Sequence, residues 1–498
     1  MADVIVIGAG LNGLVAANYL AKAGKSVLVL ERRAIVGGQA ATETLSDGFM
    51  VDVLHAGGQL RPDIVTDLDL ARHGLPAATS DALISLLPDG RQLRLAAEQD
   101  AQTQASISAI SRKDAERWPD FVAFMNEAAG FLDAAYRTPM PRLPHVSLSE
   151  GLPLARLGLK LRSLGPRDMF RIIRMLPMSA LELTEEWFES DVMRAAIGAV
   201  AIHGSTLGPM SAGSGYTLIH NWLNRGGPGH KRVVGGVGRI ADALVAALKA
   251  RGGEVRTSAD VKTILQDDHR VRGVQLAGGE EVMAPIVVSG ADPRHTLLDL
   301  VGAPELPPEF VWRTQSIKMR ASVAKVHLLT DGNHGLPQGT CVVAPSVLYV
   351  ERAYDAAKYG QVSTAPYLEL TANGSVVSIH FQFAPYKLRE SEWGQERALL
   401  ERIAVETAAE ALPQLKASIR ELKSLTPLDL EMTYGLTEGD LNHGQLLLDQ
   451  MFFMRPMPGW STHRTPIDGL YLCGNGVHGG GGISGASGRN AAAAVLKG

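Results

Sequence analysis

The N-terminal end of the chain leaves little freedom. Residues 3–8 (DVIVIG) form a short, nearly all-apolar run, the pattern of a strand buried on both faces of a parallel sheet. Gly8-Ala9-Gly10-Leu11-Asn12-Gly13 follows at once. Residues 11–23 read as a helix rich in small side chains, with Gly24 as its stop, and residues 26–30 (SVLVL) as a second buried strand ending at Glu31. This is a βαβ unit with a GxGxxG turn. Gly8 permits the tight turn, Gly10 lets the backbone approach a pyrophosphate, and Gly13 lets the helix pack on the strand. The helix N-terminus offers unpaired N–H groups to phosphates. Glu31 stands where a carboxylate accepts hydrogen bonds from ribose hydroxyls. A chance glycine turn does not come with strand, helix, second strand and acidic residue in place.

A chain of 498 residues, 46% hydrophobic and 20% charged, can bury a large core and implies two or three domains. The net charge of -4 argues against a nucleic-acid partner, which selects a strongly basic domain. The two cysteines, Cys341 and Cys473, are far apart and form no CxxC, so a structural zinc site and a dithiol redox centre are not expected, and no metal is. No signal-peptide pattern precedes the first strand, and charged residues interrupt every apolar run. The expectation is a cytoplasmic protein, soluble or peripheral to a membrane. Nothing in the pattern fixes its oligomeric state.

Along the chain, residues 63–216 read as mainly helical with proline-rich joints. Residues 233–249 hold a glycine loop and a helix. Strand signals follow at 254–256, 262–266, 271–276 and 286–290. Residues 322–329, 348–351 and 375–383 read as strands of an antiparallel sheet, and 396–411 as a helix. A last buried strand is expected at 470–474 and a last helix at 483–496.

Two further motifs accompany the first. Glu31-Arg32-Arg33 is followed by Gly37-Gly38-Gln39-Ala40 and Thr42. Near the other end, residues 469–476 (GLYLCGNG) run into His478, four glycines, Ile483-Ser484-Gly485 and a small-residue helix. The glycine pair resembles that of the flavoprotein superfamily of amine oxidases and phytoene desaturases. Further segments extend the likeness over most of the chain: 213–220 (GSGYTLIH), 234–244 (VGGVGRIADAL), 383–389 (FAPYKLR) with Trp393, 425–431 (LTPLDLE) and Arg455-Pro456. The chain resembles phytoene dehydrogenase-like oxidoreductases. It is nearest in pattern to the subgroup named for pyridine nucleotide-disulphide oxidoreductase domain-containing protein 2, although it carries no dithiol and no second GxGxxG.

The resemblance implies an α/β fold: a Rossmann-type FAD-binding domain built from discontinuous segments, with an inserted α+β substrate domain holding a mixed or antiparallel sheet. The expected division is 1–75, 221–300 and 455–498 for the FAD-binding domain, with 76–220 and 301–454 as the helical and sheet parts of the substrate domain. It implies FAD contacts from Gly8, Gly10, Leu11, Asn12, Gly13, Glu31, Arg32, Gly37, Gly38, Gln39, Ala40, Val261, Gly474, Asn475, Gly482 and Ile483. FAD is expected to be noncovalent, since Cys473 reads better as a small core residue at a strand end than as an attachment point. The implied activity is dehydrogenation or desaturation of an apolar or alicyclic, isoprenoid-type small molecule, with hydride passing to flavin. Without a nicotinamide site, oxygen, a quinone or another carrier is expected to reoxidise the flavin. C–N oxidation, redox-neutral isomerisation and non-catalytic lipid binding are alternatives on the same fold. An intact GxGxxG and Glu31 argue against the last.

Candidate proton acceptors are His55, His203 and His220, each of which reads equally as a structural histidine. Residues 156–176 combine Arg156, Lys160, Arg167, Arg171 and Arg174 with a Leu, Ile and Met face. They read as ordinary substrate-domain helices, with a peripheral membrane contact as the alternative.

Overall fold

The computed structural model describes residues 2–98, 100–141 and 148–498. Its organising element is a parallel five-stranded sheet in the order Leu470–Leu472, Ile286–Ser289, Val4–Ile7, Val27–Leu30 and Glu254–Arg256. Val4 pairs with Val27 on one side and Ile286 on the other, and Val287 pairs in turn with Leu470. Strands from three distant stretches thus close one sheet. The Val4–Ile7 strand is buried throughout, which is why it carries no polar side chain.

Three helices cover one face. Leu11–Lys22 packs against Gly238–Ala250 and Ala486–Leu496. Two glycines set the close approaches. A β-carbon at Gly13 would lie 2.3 Å from the Gly8 carbonyl oxygen, and one at Gly488 would lie 2.1 Å from that of Asn12. The last helix begins at Ala486, later than expected. Gly485 caps it in the left-handed region (φ 73°), and the preceding glycine loop runs through turns and bends with Gly479, Gly481 and Gly482 also at positive φ.

The second large sheet has seven strands in the order Ile419–Leu425, Val323–Thr330, Val376–Gln382, Leu368–Asn373, Thr340–Val343, Leu83–Leu86 and Gln92–Leu95. Only Thr340–Val343 and Leu83–Leu86 pair in parallel. One face (Ala324, Val326, Leu328, Leu368, Leu370, Ile379, Phe381) is apolar and lies under the helix Trp393–Ala411. The other face carries Lys325, His327, Glu369, His380 and Gln382, all buried. A helical layer built on Arg112–Arg137, Asp191–Ile202 and Ser214–Arg225 packs around Trp118, Phe121, Phe188 and Trp222.

Four expectations are corrected. Residues 348–351 are helical, within Val347–Lys358. A short apolar run does not separate strand from buried helix, and Ser346 decides the matter by accepting the Tyr349 N–H as N-cap. In the seven-stranded sheet, the strands Thr340–Val343, Leu368–Asn373 and Ile419–Leu425 were not anticipated. The stretch expected to be helical contains Ala78–Ser80, Leu83–Leu86 and Gln92–Leu95, whose alternation is too short to stand out from its helical surroundings. The expected boundary between 220 and 221 falls inside the helix Ser214–Arg225, which ends at left-handed Gly226.

The glycine contacts give a direct test. Gly488→Ala forces a methyl group into the Asn12 carbonyl and should lower the thermal midpoint, at a cost of about 1–3 kcal/mol. Gly130→Ala, in an exposed helical position where a β-carbon meets nothing within 4 Å, should leave the midpoint unchanged or raise it, by up to about 1 kcal/mol. Equal midpoints for the two variants would contradict this packing.

Candidate active site

A cleft opens at the C-terminal ends of the parallel strands, where the turns that follow them converge. Its walls bring together Gly8, Gly10, Leu11, Asn12 and Gly13 from the first turn, Glu31 and Arg32 from the second strand end, and Gly37, Gly38, Gln39 and Ala40 from the glycine pair. Val261, Gly474, Asn475, Gly482 and Ile483 complete it from the later segments, and His55 lines it too.

Local geometry explains the convergence. The Gly37 N–H donates to the Ala9 carbonyl at 2.8 Å, docking the second glycine motif on the first; Gly37 (φ 109°) makes that turn. The helix Leu11–Lys22 has no side-chain cap at Gly10, so its N-terminal N–H groups face the cleft unspent. A β-carbon on Gly10 would meet no protein atom within 4 Å and would project into the space a pyrophosphate needs. The Glu31 carboxylate accepts the Ala9 N–H at 2.8 Å and the Arg33 N–H at 2.9 Å. A carboxylate has about four acceptor sites, which leaves lone pairs for a diol. Arg32 donates to the Thr433 carbonyl at 2.7 Å, at the C-terminal end of the helix Pro427–Tyr434, where a cation is favoured. Asn12 Nδ2 donates to Asn475 Oδ1 at 2.8 Å, tying the N-terminal turn to the C-terminal glycine loop.

Deeper in, one amide orders two histidines. Gln39 Nε2 donates to the Leu441 carbonyl at 2.8 Å, which fixes Oε1 as the acceptor facing His55 Nε2 at 3.1 Å. His55 is therefore the Nε2–H tautomer with its Nδ1 lone pair free. Burial pushes its pKa down to about 3, and Lys325 adds to the effect. Gln39 Nε2 also faces His443 Nε2 at 3.2 Å, so His443 carries its proton on Nδ1. That nitrogen is buried, has no partner, and lies beside Gly474. An orphaned donor, an uncapped helix end and a carboxylate with spare lone pairs suit a ligand with ring acceptors, phosphates and a ribose. FAD has all three.

The other two candidate histidines lie outside this cleft. His220 is in a buried chain. Asn224 Oδ1 accepts from Arg61 Nη2 at 3.0 Å, so Asn224 Nδ2 must donate to His220 Nε2 at 2.9 Å, and His220 Nδ1–H then donates to the Tyr136 hydroxyl at 2.7 Å. Burial, with Arg61 beside it, pushes the His220 pKa down to about 3. Both ring nitrogens are engaged. Its edge meets Gly481, where a β-carbon would lie 2.6 Å from Cε1, so its visible task is to seat the glycine loop.

His203 belongs to a buried cluster on the polar face of the seven-stranded sheet. Its Nδ1 lies 3.4 Å from Glu369 Oε2, and its ring stacks on His380 with centroids 4.3 Å apart. Glu369 also accepts from Arg225 at 3.0 Å and His230 at 2.6 Å. Burial raises the Glu369 carboxyl, but Arg225 and the two histidines outweigh it and hold it well below the usual range. Lys325 Nζ donates to His380 Nδ1 at 2.9 Å, and burial pushes Lys325 down to about 8. Sequence reasoning missed Arg225, His230, Lys325, Glu369, His380 and His443. For Lys325 a signal existed: Lys325 and His327 alternate with Ala324, Val326 and Leu328 in a strand otherwise read as apolar.

Cys473, just after the last sheet strand, is fully buried, and burial pushes its thiol up to about 12. Among the described residues no helix is long and apolar enough to cross a membrane.

Comparison with known proteins agrees with the cleft. The family model "Flavin containing amine oxidoreductase" matches residues 11–390. The chain is 34% identical to "Pyridine nucleotide-disulfide oxidoreductase domain-containing protein 2" of Rattus norvegicus, covering 99% of this chain and 93% of that protein. It is 26% identical to one of the subunits of the limonene dehydrogenase of Castellaniella defragrans (99% and 94% covered) and 25% identical to "Phytoene desaturase (lycopene-forming)" of a Paracoccus species (99% and 96%). Among solved structures, an oxidoreductase from Methanosarcina mazei superposes with a TM-score of 0.60 at 17% identity, covering 99% of this chain and 100% of that one. Putrescine oxidase superposes with a TM-score of 0.57 at 18% identity, covering 100% and 99%. The α/β fold expected from the sequence is thus that of FAD-dependent amine oxidase-type proteins. The chain belongs to the flavin-containing amine oxidoreductase family, as an FAD-dependent oxidoreductase related to the phytoene desaturases.

Proposed function

We propose that this protein is a dehydrogenase of saturated carbon–carbon bonds in apolar or alicyclic small molecules, holding FAD noncovalently in the cleft described above. The observation that carries the reading is the convergence of the uncapped helix end, Glu31 and the orphaned His443 donor on one cleft, with His55 at its inner end. The curated relatives named for limonene dehydrogenation and phytoene desaturation support the substrate class. FAD supplies a two-electron acceptor for hydride, with oxygen, a quinone or another carrier taking the electrons on.

In this reading the turn from Gly8 to Gly13 binds the pyrophosphate and Glu31 the ribose. Gly37, Gly38, Gln39, Ala40 and Val261 line the nucleotide's path, and Gly474, Asn475, Gly482 and Ile483 close the far end. His443 donates to a ring acceptor. His55 is the candidate that touches the reacting region; its free Nδ1 lone pair receives a hydrogen bond or a departing proton. The buried sheet face excludes water. An amine oxidase remains the second chemistry, but the Lys325 ammonium near His55 disfavours a cationic substrate.

We also propose that the helices Leu148–Ser163 and Gly165–Met175 touch an anionic bilayer. Leu159 and Phe170 are each 65% exposed, with Arg156, Lys160 and Arg167 exposed beside them. Ile172 and Met175 pack inward, and Arg174 pairs with Glu186, so the contact falls to the outer face.

Purified protein should carry FAD that acid or heat releases, since neither Cys341 nor Cys473 lines the cleft; flavin that stays with the denatured chain would count against this. Glu31→Ala should lose FAD more readily than Glu31→Gln, which keeps one acceptor, and equal FAD content in both variants and the wild type would remove Glu31 from the ribose.

Anaerobic flavin reduction by a panel of alicyclic, isoprenoid and amine compounds tests the chemistry. His55→Asn should slow reduction about 100-fold or more at unchanged FAD content. Because the His55 pKa is pushed down to about 3, the neutral form persists far into acid, so the wild-type rate should show no histidine limb near the ordinary value of about 6.5. A rate that falls through that value would show an ordinary imidazole base at work instead.

For the bilayer contact, reversing the charges of Arg156, Lys160 and Arg167 should abolish binding to anionic vesicles at low salt without changing FAD content. No vesicle binding by the wild-type protein would refute it.

A further inference from the structure

We propose that Arg455 is a positioning residue for the flavin end of the cleft, holding His443 and Asn475 in place by their backbone, and that its charge, paired with no carboxylate, stabilises the negative charge the flavin ring gains on accepting hydride. The inference rests on the placement of FAD in the cleft and is independent of the substrate class.

Arg455-Pro456 is one of the segments that carry the family resemblance, yet Arg455 does not line the cleft. It lies directly behind Asn475, which does. The side chain is 3% exposed, and its hydrogen bonds go to main-chain carbonyls. Nη2 donates to Asn442 at 2.7 Å, Asn475 at 2.8 Å and Gly444 at 3.1 Å. Nη1 donates to Gln445 and Gln450, both at 3.2 Å, and Nε to Asn475 at 3.3 Å. A guanidinium carries five N–H groups in a rigid fork, so one side chain gathers all these carbonyls at once.

The carbonyls belong to two walls of the cleft. Asn442 and Gly444 flank His443, whose backbone is left-handed (φ 55°) and whose Nδ1 is the orphaned donor beside Gly474. A residue other than glycine persists in that conformation only where its surroundings over-determine it, and Arg455 grips the residues on either side. On the other wall, Asn475 is the residue that Asn12 ties to the N-terminal turn. The two walls also touch closely: a β-carbon at Gly476 would lie 2.5 Å from the His443 carbonyl. Arg455 thus sets the spacing between His443 and Asn475 without touching what binds between them.

Carbonyl dipoles solvate the guanidinium but do not neutralise it. Among the described residues Arg455 forms no ion pair; its partners are the five carbonyls. Tyr136 and Tyr216 act on it electrostatically, but burial keeps both phenols protonated. Asp440 attracts it as well, yet the Asp440 carboxylate is turned to the Arg320 and Asn442 amides, at 3.1 and 2.8 Å. The field of Arg455 reaches the cleft: burial lowers the His443 pKa, and Arg455 lowers it further. A fixed positive charge behind the flavin favours the form of the ring that carries the extra electrons.

The test uses the FAD-loaded protein, with sulfite as a probe of the ring and dithionite titration against a reference dye for its midpoint potential. Sulfite gives its electron pair to the oxidised ring; one bond forms, nothing leaves, and the ring takes on a negative charge that bleaching of the flavin reports. Wild-type protein should hold sulfite at least about tenfold more tightly than free FAD does. Arg455→Gln removes the charge, so it should weaken sulfite about tenfold and lower the two-electron potential by about 30 mV, the equivalent of that factor. Arg455→Lys keeps the charge but offers three donors to five carbonyls. Its Kd for FAD should rise about tenfold, while its sulfite affinity stays within about threefold of wild type. A structural role alone would not separate the two variants in this way. Wild-type protein that holds sulfite no better than free FAD, or Arg455→Gln protein with FAD bound and an unchanged potential, would overturn the charge role. Wild-type affinity for FAD in Arg455→Lys would overturn the positioning role. If Arg455→Gln does not fold, Arg455→Lys and the comparison with free FAD still decide, and a Lys variant that loses sulfite as fully as it loses FAD would sink the charge role. No arm needs a substrate. A failure here therefore leaves the dehydrogenase reading standing, and a panel that reduces no flavin leaves these outcomes unchanged.

Discussion

The strand Val4–Ile7 is hydrogen-bonded on both edges, by Val27–Leu30 next in sequence and by Ile286–Ser289 far along the chain. Everything else depends on that double pairing. A buried parallel strand has no solvent to satisfy its backbone, so both neighbours must be present before it is stable. The chain must therefore return to the N-terminal unit after residue 254 and again after residue 470, and whatever lies between is looped out as an insertion. The cleft is a consequence: each returning segment ends its strand at the same edge as Gly8 and contributes a turn to the same space.

Backbone geometry, more than side chains, shapes the outer part of that cleft. The positive φ of Gly8 and Gly37, the uncapped helix end after Gly10 and the contact of Gly488 with Asn12 all exploit missing β-carbons. The few side chains present are held by backbone groups or by one another, as Glu31 is by the Ala9 and Arg33 amides and Asn475 by Asn12. Such preorganisation lowers the ordering cost of binding a long flexible cofactor.

The inner end follows different physics. The seven-stranded sheet buries an apolar face beneath a helix and a polar face toward the cofactor domain. The polar face survives burial because its groups form chains of fixed donors and acceptors, from Ser205 through Gln382 and His380 to Lys325, and around Glu369. What these chains leave unspent is positive charge, set next to His55.

The dinucleotide unit, its acidic residue, the glycine pair and the terminal strand–loop–helix were legible in the sequence because each is local: a turn and its flanking strands specify their own geometry within about thirty residues. The cleft residues expected from these motifs do converge on one space, and His55 joins them there. Helical and strand character was misread where apolar runs were short, as at residues 348–351 and in the strands of residues 78–95, because tertiary pairing and caps settle what periodicity leaves open. His203 and His220 could not be told from His55 by their neighbours in sequence. Only the fold carried His220 into a closed hydrogen-bond chain and His203 onto the sheet. The cluster of Arg225, His230, Lys325, Glu369 and His380 was invisible for the same reason. Its members come from a helix end, a loop and three strands separated by up to 155 positions (Arg225 to His380), and their burial and pairing arise only when those elements pack together. Sequence alone determined the cofactor class, because phosphate and ribose recognition is written in consecutive residues. The polar character of the buried sheet face was decided by tertiary structure, because it sums side chains that no single segment contains.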